Sequence, residues 1–392
     1  MPLSLNNSSL NNSSRYHYII AGTGCAGLSL LVHLLQNNSL RDKKILLVDR
    51  QQKDKNDRTW CFWEKGTGPF EKIVSNSWDQ MWYRSPTLSR QFPLAPYRYK
   101  LIRGIDLYQY AFELAATALN VEHRISAIDE TGEDAQGAFV RIGDERVYAD
   151  YVFNSILFEN PVMGKGEYSL LQHFKGWFIK SESPCFDPGT ATLMDFRISQ
   201  NRGTTFVYVM PFSSHEALVE YTLFTDALLS DEEYDEGLRS YVSEQLKIDK
   251  YTVTDTETGV IPMTNHRFSL GKGRVINMGT AGGRTKGSTG YTFQFIQKQS
   301  ARIVEALEHG KNPLATFTGR DKRFEFYDSV LLNILHHNTL TGEEIFTRLF
   351  ARNDPRDVLR FLDKDSSLWN DLKLVFTLPT LPFLKAAITQ LS

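Results

Sequence analysis

Residues Tyr16 to Leu35 read YHYIIAGTGCAGLSLLVHLL. The first six are β-branched, aromatic or small and suit a short buried strand. Gly22, Gly24 and Gly27 follow as G-x-G-x-x-G, and the apolar run LSLLVHLL predicts a helix to about Leu35. Lys44 to Val48, KILLV, predicts a second strand that ends at Asp49. Strand, glycine turn, helix, strand and terminal acid together form the context in which such a turn holds a dinucleotide. The glycines permit the tight turn and a close approach of pyrophosphate to the helix N-terminus. Asp49 follows Gly27 by about 20 residues, where a carboxylate can accept hydrogen bonds from an adenosine ribose. Arg50, next in the chain, is also expected at the cofactor.

Beyond this unit the strand-like stretches scatter. VEHRISAIDE, FVRIGD and RVYADYVFNSI (residues 121–156) read as a small meander and a strand returning to the first sheet. GWFIKSES, TATLMDFRIS and TTFVYVMPFSSHEALVEYTLFT read as alternating strands, followed by the polar helix DEEYDEGLRSYVSEQL and by TETGVIPM. GRVINMG then predicts a strand running straight into a second glycine- and hydroxyl-rich loop, GTAGGRTKGSTGYTF (Gly279–Phe293), before the amphipathic helix FQFIQKQSARIVEALEHG. A nucleotide loop, an inserted antiparallel sheet and a returning strand-loop-helix form the pattern of FAD proteins of the glutathione-reductase type. FAD is long, so its adenosine half takes the first loop and its ribityl-flavin half the second. The expected fold is mixed α/β. A discontinuous Rossmann-like FAD-binding domain takes residues 15–75, 100–160 and 255–310, and an inserted antiparallel-sheet substrate domain takes 76–99 and 161–254. A helical C-terminal region takes 311–392, and a polar disordered tail 1–14. Gly279, Thr280, Gly283, Thr289 and Gly290 are the second-loop residues expected at the cofactor.

Composition narrows the class. A net charge of −2 over 392 residues gives no basis for holding a nucleic-acid backbone by bulk electrostatics. Three irregularly spaced cysteines make neither a disulfide framework nor a zinc site and point to a reducing, cytoplasmic compartment. No metal site is expected; His336 and His337, adjacent on a helix, point about 100° apart. No run of ~18 apolar residues suggests a membrane span.

RTWCFW (Arg58–Trp63), MDFR (Met194–Arg197), LVEYT (Leu218–Thr222), GVIPM (Gly259–Met263) and the second loop, taken in order, resemble carotenoid lycopene cyclases from about Tyr16 to Leu384. The resemblance implies a flavoprotein that closes β-rings on the ends of lycopene. It implies a requirement for reduced FAD, with NAD(P)H as reductant, although no net redox change occurs. Flavin hydroxylases of similar build usually carry Asp-Gly where this chain has Asn154-Ser155, and Gly-Asp where it has Gly279-Thr280. Thr280 or backbone groups then replace the usual carboxylate at the ribityl chain.

Lycopene offers no polar handle, so recognition rests on shape and apolar burial. Ring closure starts with a proton added to an alkene, which needs an acid kept protonated by burial. The resulting carbocation needs negative charge or π-faces and shelter from water. Periodicity alone reads Glu220 as a solvent-facing residue of a half-buried strand; the resemblance of LVEYT to the cyclases' acidic motif makes it the expected acid. Asp195 in MDFR is the second candidate, against an edge-strand Asp paired with Arg197. Trp60, Trp63, Tyr221, Tyr291 and Phe293 are the expected substrate-side aromatics, with Trp60 and Trp63 either lining a tunnel or packing beneath the flavin. Arg103, opening an amphipathic helix, is expected at the cofactor. Phe346, Leu349 and Phe350 read as helical core or as a lid. The C-terminal LKLVFTLPTLPFLKAAITQL is too short and too broken by proline to span a bilayer. It is expected to rest on the membrane, at the inner face of the plasma membrane, or else to pack on the substrate domain. The oligomeric state is not legible.

Overall fold

β1 (Tyr16–Ala21), α1 (Cys25–Gln36) and β2 (Ile45–Asp49) open the chain as a parallel strand-helix-strand unit. The computed structural model describes residues 15–317 and 322–391, so the tail expected at 1–14 lies outside the described residues. β3 (Thr59–Lys65), β4 (Asn76–Trp78), β5 (Gln80–Arg84), β6 (Ser89–Pro93) and β7 (Tyr97–Arg103) come next. They lead into α2 (Gly104–Thr117), β8 (Val121–Ile125), β9 (Glu130–Asp134), β10 (Gly137–Ile142) and β11 (Glu145–Asn154). β11 returns to pair in parallel with β1, as the RVYADYVFN stretch predicts.

The inserted part holds β12 (Ser169–Ser181), β13 (Thr190–Asp195), β14 (Thr204–Pro211), β15 (Glu216–Thr225), α3 (Asp231–Glu244) and β16 (Tyr251–Thr264). Ser230 and Glu233 close a capping box on α3, where the acids of DEEYDE also suit the positive end of the helix. β17 (Gly271–Lys272) and β18 (Val275–Asn277) bring the chain back to the first sheet ahead of α4 (Phe293–Glu308). Among the described residues, five α-helices follow: α5 (Lys322–His336), α6 (Gly342–Arg352), α7 (Pro355–Leu362), α8 (Leu368–Val375) and α9 (Thr380–Leu391). No helix among the described residues is long and apolar enough to cross a membrane.

One sheet runs β17-β18-β11-β1-β2-β8, with β10 and β9 branching from β11; the other runs β16-β12-β15-β14-β13-β5-β6; β3, β7 and β4 form a third. Two placements differ from the sequence reading. VEHRI joins the main parallel sheet beside β2 instead of the meander. Residues 255–264 belong to β16, which pairs with β12 along its whole length, so the domain crossing falls after this strand. The strand alternates, turning Glu257, Gly259, Ile261 and Met263 to one side, and that pattern suits a sheet edge better than a crossover.

β15 places each residue on a face by the two-residue period of a strand. Val219, Tyr221 and Leu223 pack under α3 with Leu238 and Tyr241. Leu218 and Phe224 join the larger core formed with α5 to α9, in which Phe346, Leu349 and Phe350 are buried. Glu220 and Thr222 share that second face.

The second loop is tied to the helical region by a buried ion pair. Lys286 and Ser288 both donate to Asp328 of α5, and Lys364 lies 3.2 Å from the same carboxylate. Removing one partner of a buried pair strands the other charge, which costs about 3–5 kcal/mol. Asp328→Ala should therefore destabilise the protein by about that amount, read by urea unfolding, whereas Asp357→Ala on the exposed face of α7 should change stability by less than about 0.5 kcal/mol.

Candidate active site

The first loop has the shape a pyrophosphate needs. A Cβ on Gly27 would overlap the Gly22 carbonyl oxygen, so this glycine brings α1 tight against β1. A Cβ on Gly24 would meet no atom within 4 Å, which leaves open space at the helix N-terminus. No side chain caps α1, so its first N–H groups are available to an anion. Gly22 has φ +94 and lies against Ser155, whose hydroxyl donates to the Ala21 carbonyl at 2.9 Å. Asn154 bridges the sheet to Asn277 at 3.0 Å. The pair that stands where hydroxylases carry Asp-Gly thus knits β1, β11 and β18 together at their C-terminal ends.

Asp49 ends β2 as expected and accepts from Thr23 N (2.7 Å), Thr23 Oγ1 (3.0 Å) and Gln51 N (3.0 Å). Burial pushes its carboxyl up, but these donors and Lys53 outweigh burial and hold it below its ordinary value. Arg50 is exposed. Arg103 is the N-cap of α2; it pairs with Asp106 at 2.6 Å and is half exposed. Arg58, the first residue of RTWCFW and given no site role in the sequence reading, acts electrostatically on the Cys25 thiol in the first turn of α1.

The second loop joins the two sheets. A Cβ on Gly279 would lie 2.8 Å from that of Ala26 in α1, so this end of the loop rests directly on the first nucleotide helix. Gly283, with φ +68, closes the short 3-10 turn from Gly279 to Gly282. Thr280, Thr285 and Thr292 make a hydroxyl chain, at 3.2 and 3.1 Å, where a carboxylate is absent. Gly290, at φ +69, abuts Gln172 of β12 and Ile261 of β16. Thr289 is buried and its hydroxyl has no partner among the described residues. The open cradle at Gly24, the uncapped helix and this orphaned hydroxyl fit a long dinucleotide laid from one loop to the other. Gly22, Gly24, Gly27, Gly279, Thr280 and Thr289 are the residues that would hold it.

Gly290 to Phe293 also form one wall of a cleft whose other walls include Trp60, Phe174, Tyr208 and Glu220. Trp60, Tyr291 and Phe293 therefore face the same space as Glu220. Trp63 sits one step away, edge-on to Tyr291 with centroids 4.9 Å apart. A larger polar cleft, of about 550 Å³, is bordered by Gly283 to Thr285 and contains no member of the acid group described next.

Glu220 sits in a row of paired residues across four strands. Tyr208 pairs with Glu220, Glu220 with Gly176, and Gly176 with Glu257. Directly paired residues point to one face, so Tyr208, Glu220 and Glu257 stand together. Thr222 donates to Glu220 at 3.0 Å, and Thr59 donates to Glu257 at 2.6 Å. Burial, then the charge of Glu257, pushes the Glu220 carboxyl well above the ordinary range. Burial raises Glu257 as well, against the Thr59 hydrogen bond. At least one of the two is then protonated at neutral pH, so Glu220 can serve as an acid.

Glu257 is absent from the sequence reading. The signal was present in TETGVIPM, whose two-residue alternation sets a carboxyl on the same face as Ile261 and Met263. Asp195 and Tyr221 are not brought to the cleft. Asp195 is fully buried on the opposite face of its sheet, bound to Arg197 (2.6 Å) and to the Tyr241 hydroxyl of α3 (2.8 Å). Its partner is thus the Arg197 that the sequence places beside it. Tyr221 packs against Gly237 of α3, because it is one residue out of phase with Glu220.

The two loop glycines should fail in different ways. Gly24→Val should fold with a near-normal melting temperature yet lose the bound flavin, since the new side chain enters empty space beside the helix N-terminus. Gly27→Val should lose stability by about 1–3 kcal/mol or more through overpacking against β1. Flavin absorbance of the purified proteins and their melting curves check both.

Comparison with solved structures returns chains that share this fold. A geranylgeranyl bacteriochlorophyll reductase-like protein from Thermoplasma acidophilum is similar, with a TM-score of 0.63 at 14% identity, over 96% of this chain and 99% of that one. The flavin-dependent brominase Bmp2 gives 0.59 at 12% identity, over 96% and 98%. A tryptophan halogenase from Shewanella frigidimarina gives 0.57 at 9%, over 96% and 89%. At such identities the likeness establishes the fold alone. Comparison with curated proteins finds no match. The family model described as lycopene cyclase protein matches residues 18–388, nearly the whole chain, and the protein belongs to that family.

Proposed function

We propose that this chain is a lycopene β-cyclase that holds FAD, works with the flavin reduced by NAD(P)H or another donor, and closes ψ-ends to β-rings without net oxidation or reduction. The observation that carries the reading is Glu220: a buried carboxyl set against Glu257 in an aromatic-walled cleft, beside the loop that would hold the flavin. An alkene reductase also delivers a proton, but together with hydride, so the mass of the product separates the two readings. When bound, reduced FAD would supply an electron-rich face beside the cleft.

The chain's own groups account for the remaining chemistry. Glu220 gives its proton to the terminal alkene, whose π electrons form the new C–H bond. The adjacent double bond attacks the cation, closing the ring and moving the positive charge onto it. Trp60, Phe174, Tyr208, Tyr291 and Phe293 offer π-faces to that charge. The same residues keep water from trapping the cation as an alcohol. Loss of a ring proton to the Glu220 carboxylate forms the ring double bond and restores the acid, so the step balances.

The substrate reaches this cleft from lipid. The Glu220 cleft shares Tyr291 to Phe293 with a smaller space lined by Trp63 and Leu362, and Leu362 also borders an apolar cavity of about 240 Å³ among α5 to α9. Beside that cavity the chain exposes Trp369 (72%), Phe376 (76%), Leu381 (71%) and Ile388 (59%). Leu381, Leu384, Ile388 and Leu391 make one exposed stripe along α9. We read this surface as the part that rests on a bilayer, with Lys373 and Lys385 at its edges.

Glu220→Gln should retain fold and flavin but lower ring formation at least ~10²-fold, the lower end of what general acid catalysis contributes. Wild-type activity should need reduced flavin, fall as pH rises through the elevated pKa of the buried carboxyl, and leave substrate mass unchanged. One donor oxidised per ring, or oxygen or hydrogen gained in the product, identifies an oxidoreductase instead. Flotation with anionic vesicles checks the membrane face. Replacing Trp369, Phe376, Leu381 and Ile388 by Ser should lower the vesicle-bound fraction at least ~10-fold, since ~0.8 kcal/mol is lost per CH₂ withdrawn from the membrane.

A further inference from the structure

Glu220 and Glu257 lie two strands apart, so their backbones are separated by about 9–10 Å. An ordinary side chain on the strand between them would fill that gap. The residue there is Gly176, where an added Cβ would lie 2.8 Å from Leu218 Cδ1, 3.2 Å from Glu257 Cγ and 3.7 Å from Glu220 Cβ. The missing side chain lets the two carboxyls meet across the middle strand. Thr59 occupies Glu257 Oε2, while Glu257 Oε1 is buried and finds no donor among the described residues. The group it faces is Glu220, whose Oε1 is occupied by Thr222. With both ionised, the two facing oxygens have no donor between them, and one shared proton satisfies both.

We propose that Glu257 is a positioning residue that shares a proton with Glu220 across Gly176 and keeps a hydrogen bond to the Glu220 carboxylate while the ring cation exists. The proposal rests on the cyclase reading for its place in the reaction; the shared proton itself does not. Glu257 is outside the cleft wall and acts through Glu220. The pair cycles between two protons and one. Glu220 gives a proton to the alkene, Glu257 keeps its own and donates it to the new carboxylate, and the proton shed by the ring returns to Glu220. Charge in the dry site never exceeds one negative, opposite one positive. The other titratable groups facing the pair are Tyr208 of β14, Tyr99 of β7 and Cys61 of β3, with Asp255 acting on Glu257 from its own strand.

The test uses the FAD-loaded protein, with and without lycopene in vesicles. Infrared spectra of the substrate-free holoenzyme should show a protonated-carboxyl carbonyl band whose pH midpoint lies above the usual carboxylic range. Glu257→Gln should move that midpoint to lower pH, because the facing negative charge is gone, and the double Gln variant should abolish the band. In turnover, Glu257→Gln should lower kcat by about 10–100-fold, the range for groups that orient a reacting ligand. KM should stay unchanged and the alkaline limb of the pH profile should shift in the same sense. Glu257→Asp should recover part of the rate, and Gly176→Val should mimic Glu257→Gln by parting the carboxyls, which guards against a folding defect in one variant. An unchanged band midpoint and an unchanged pH profile in Glu257→Gln would overturn the proposal. Wild-type protein that shows the midpoint shift but forms no rings supports the shared proton and counts against the cyclase reading instead.

Discussion

The segment from Gly279 to Phe293 has to touch α1 at one end and the seven-stranded sheet at the other, and it does so with no side chain at either contact. Gly279 lies against Ala26, and Gly290 lies against Gln172 and Ile261. The rest of the molecule is arranged around this double contact. β18 must return to the first sheet to launch the loop, so everything from β12 to β16 is an insertion that folds back over it. Lys286 and Asp328 then fasten the middle of the loop to the helices that close the far side. A cofactor held by both loops would lie along the seam between the nucleotide sheet and the substrate sheet, and the aromatic cleft opens at the loop's C-terminal end.

That geometry turns an ordinary glutamate into an acid. A carboxyl on a solvated strand titrates near 4, whereas one removed from water and set against a second carboxyl keeps its proton at neutral pH. The residues that remove the water are the aromatics that could also face a carbocation, so dryness and charge stabilisation share a cause. Asp195, also buried, is differently equipped: Arg197 and the Tyr241 hydroxyl both donate to it on the face under α3, and that makes it a brace between sheet and helix.

The fold is shared with reductase-like and halogenating flavoproteins of very different chemistry, and fold alone does not choose among them. The features that bear on its chemistry are local. Asn154-Ser155 and Thr280 stand at the two loops, Glu220 and Glu257 share one face of the seven-stranded sheet, and the C-terminal helices leave a row of large apolar side chains exposed beside an apolar cavity.

Some of this was determined by the sequence alone. The strand-turn-helix from Tyr16 to Leu35, the second loop and the strand alternation of LVEYT are local patterns, because a glycine turn and a two-residue period act on near neighbours. They suffice for the fold class and for the positions of the two loops; for Glu220 the strand period alone reads a solvent-facing residue, and it is the resemblance of LVEYT to the cyclase motif that singles it out. The partners of those residues are a matter of register between strands distant in the chain, which no local pattern encodes. Only the tertiary structure could set Gly176 between Glu220 and Glu257, bring Thr59 and Arg58 to bear on distant residues, and place Asp195 under α3 against Tyr241. The physical reason is the strand period itself. It makes the side of the sheet legible one residue at a time, while pairing across the sheet decides which of those residues can share a proton.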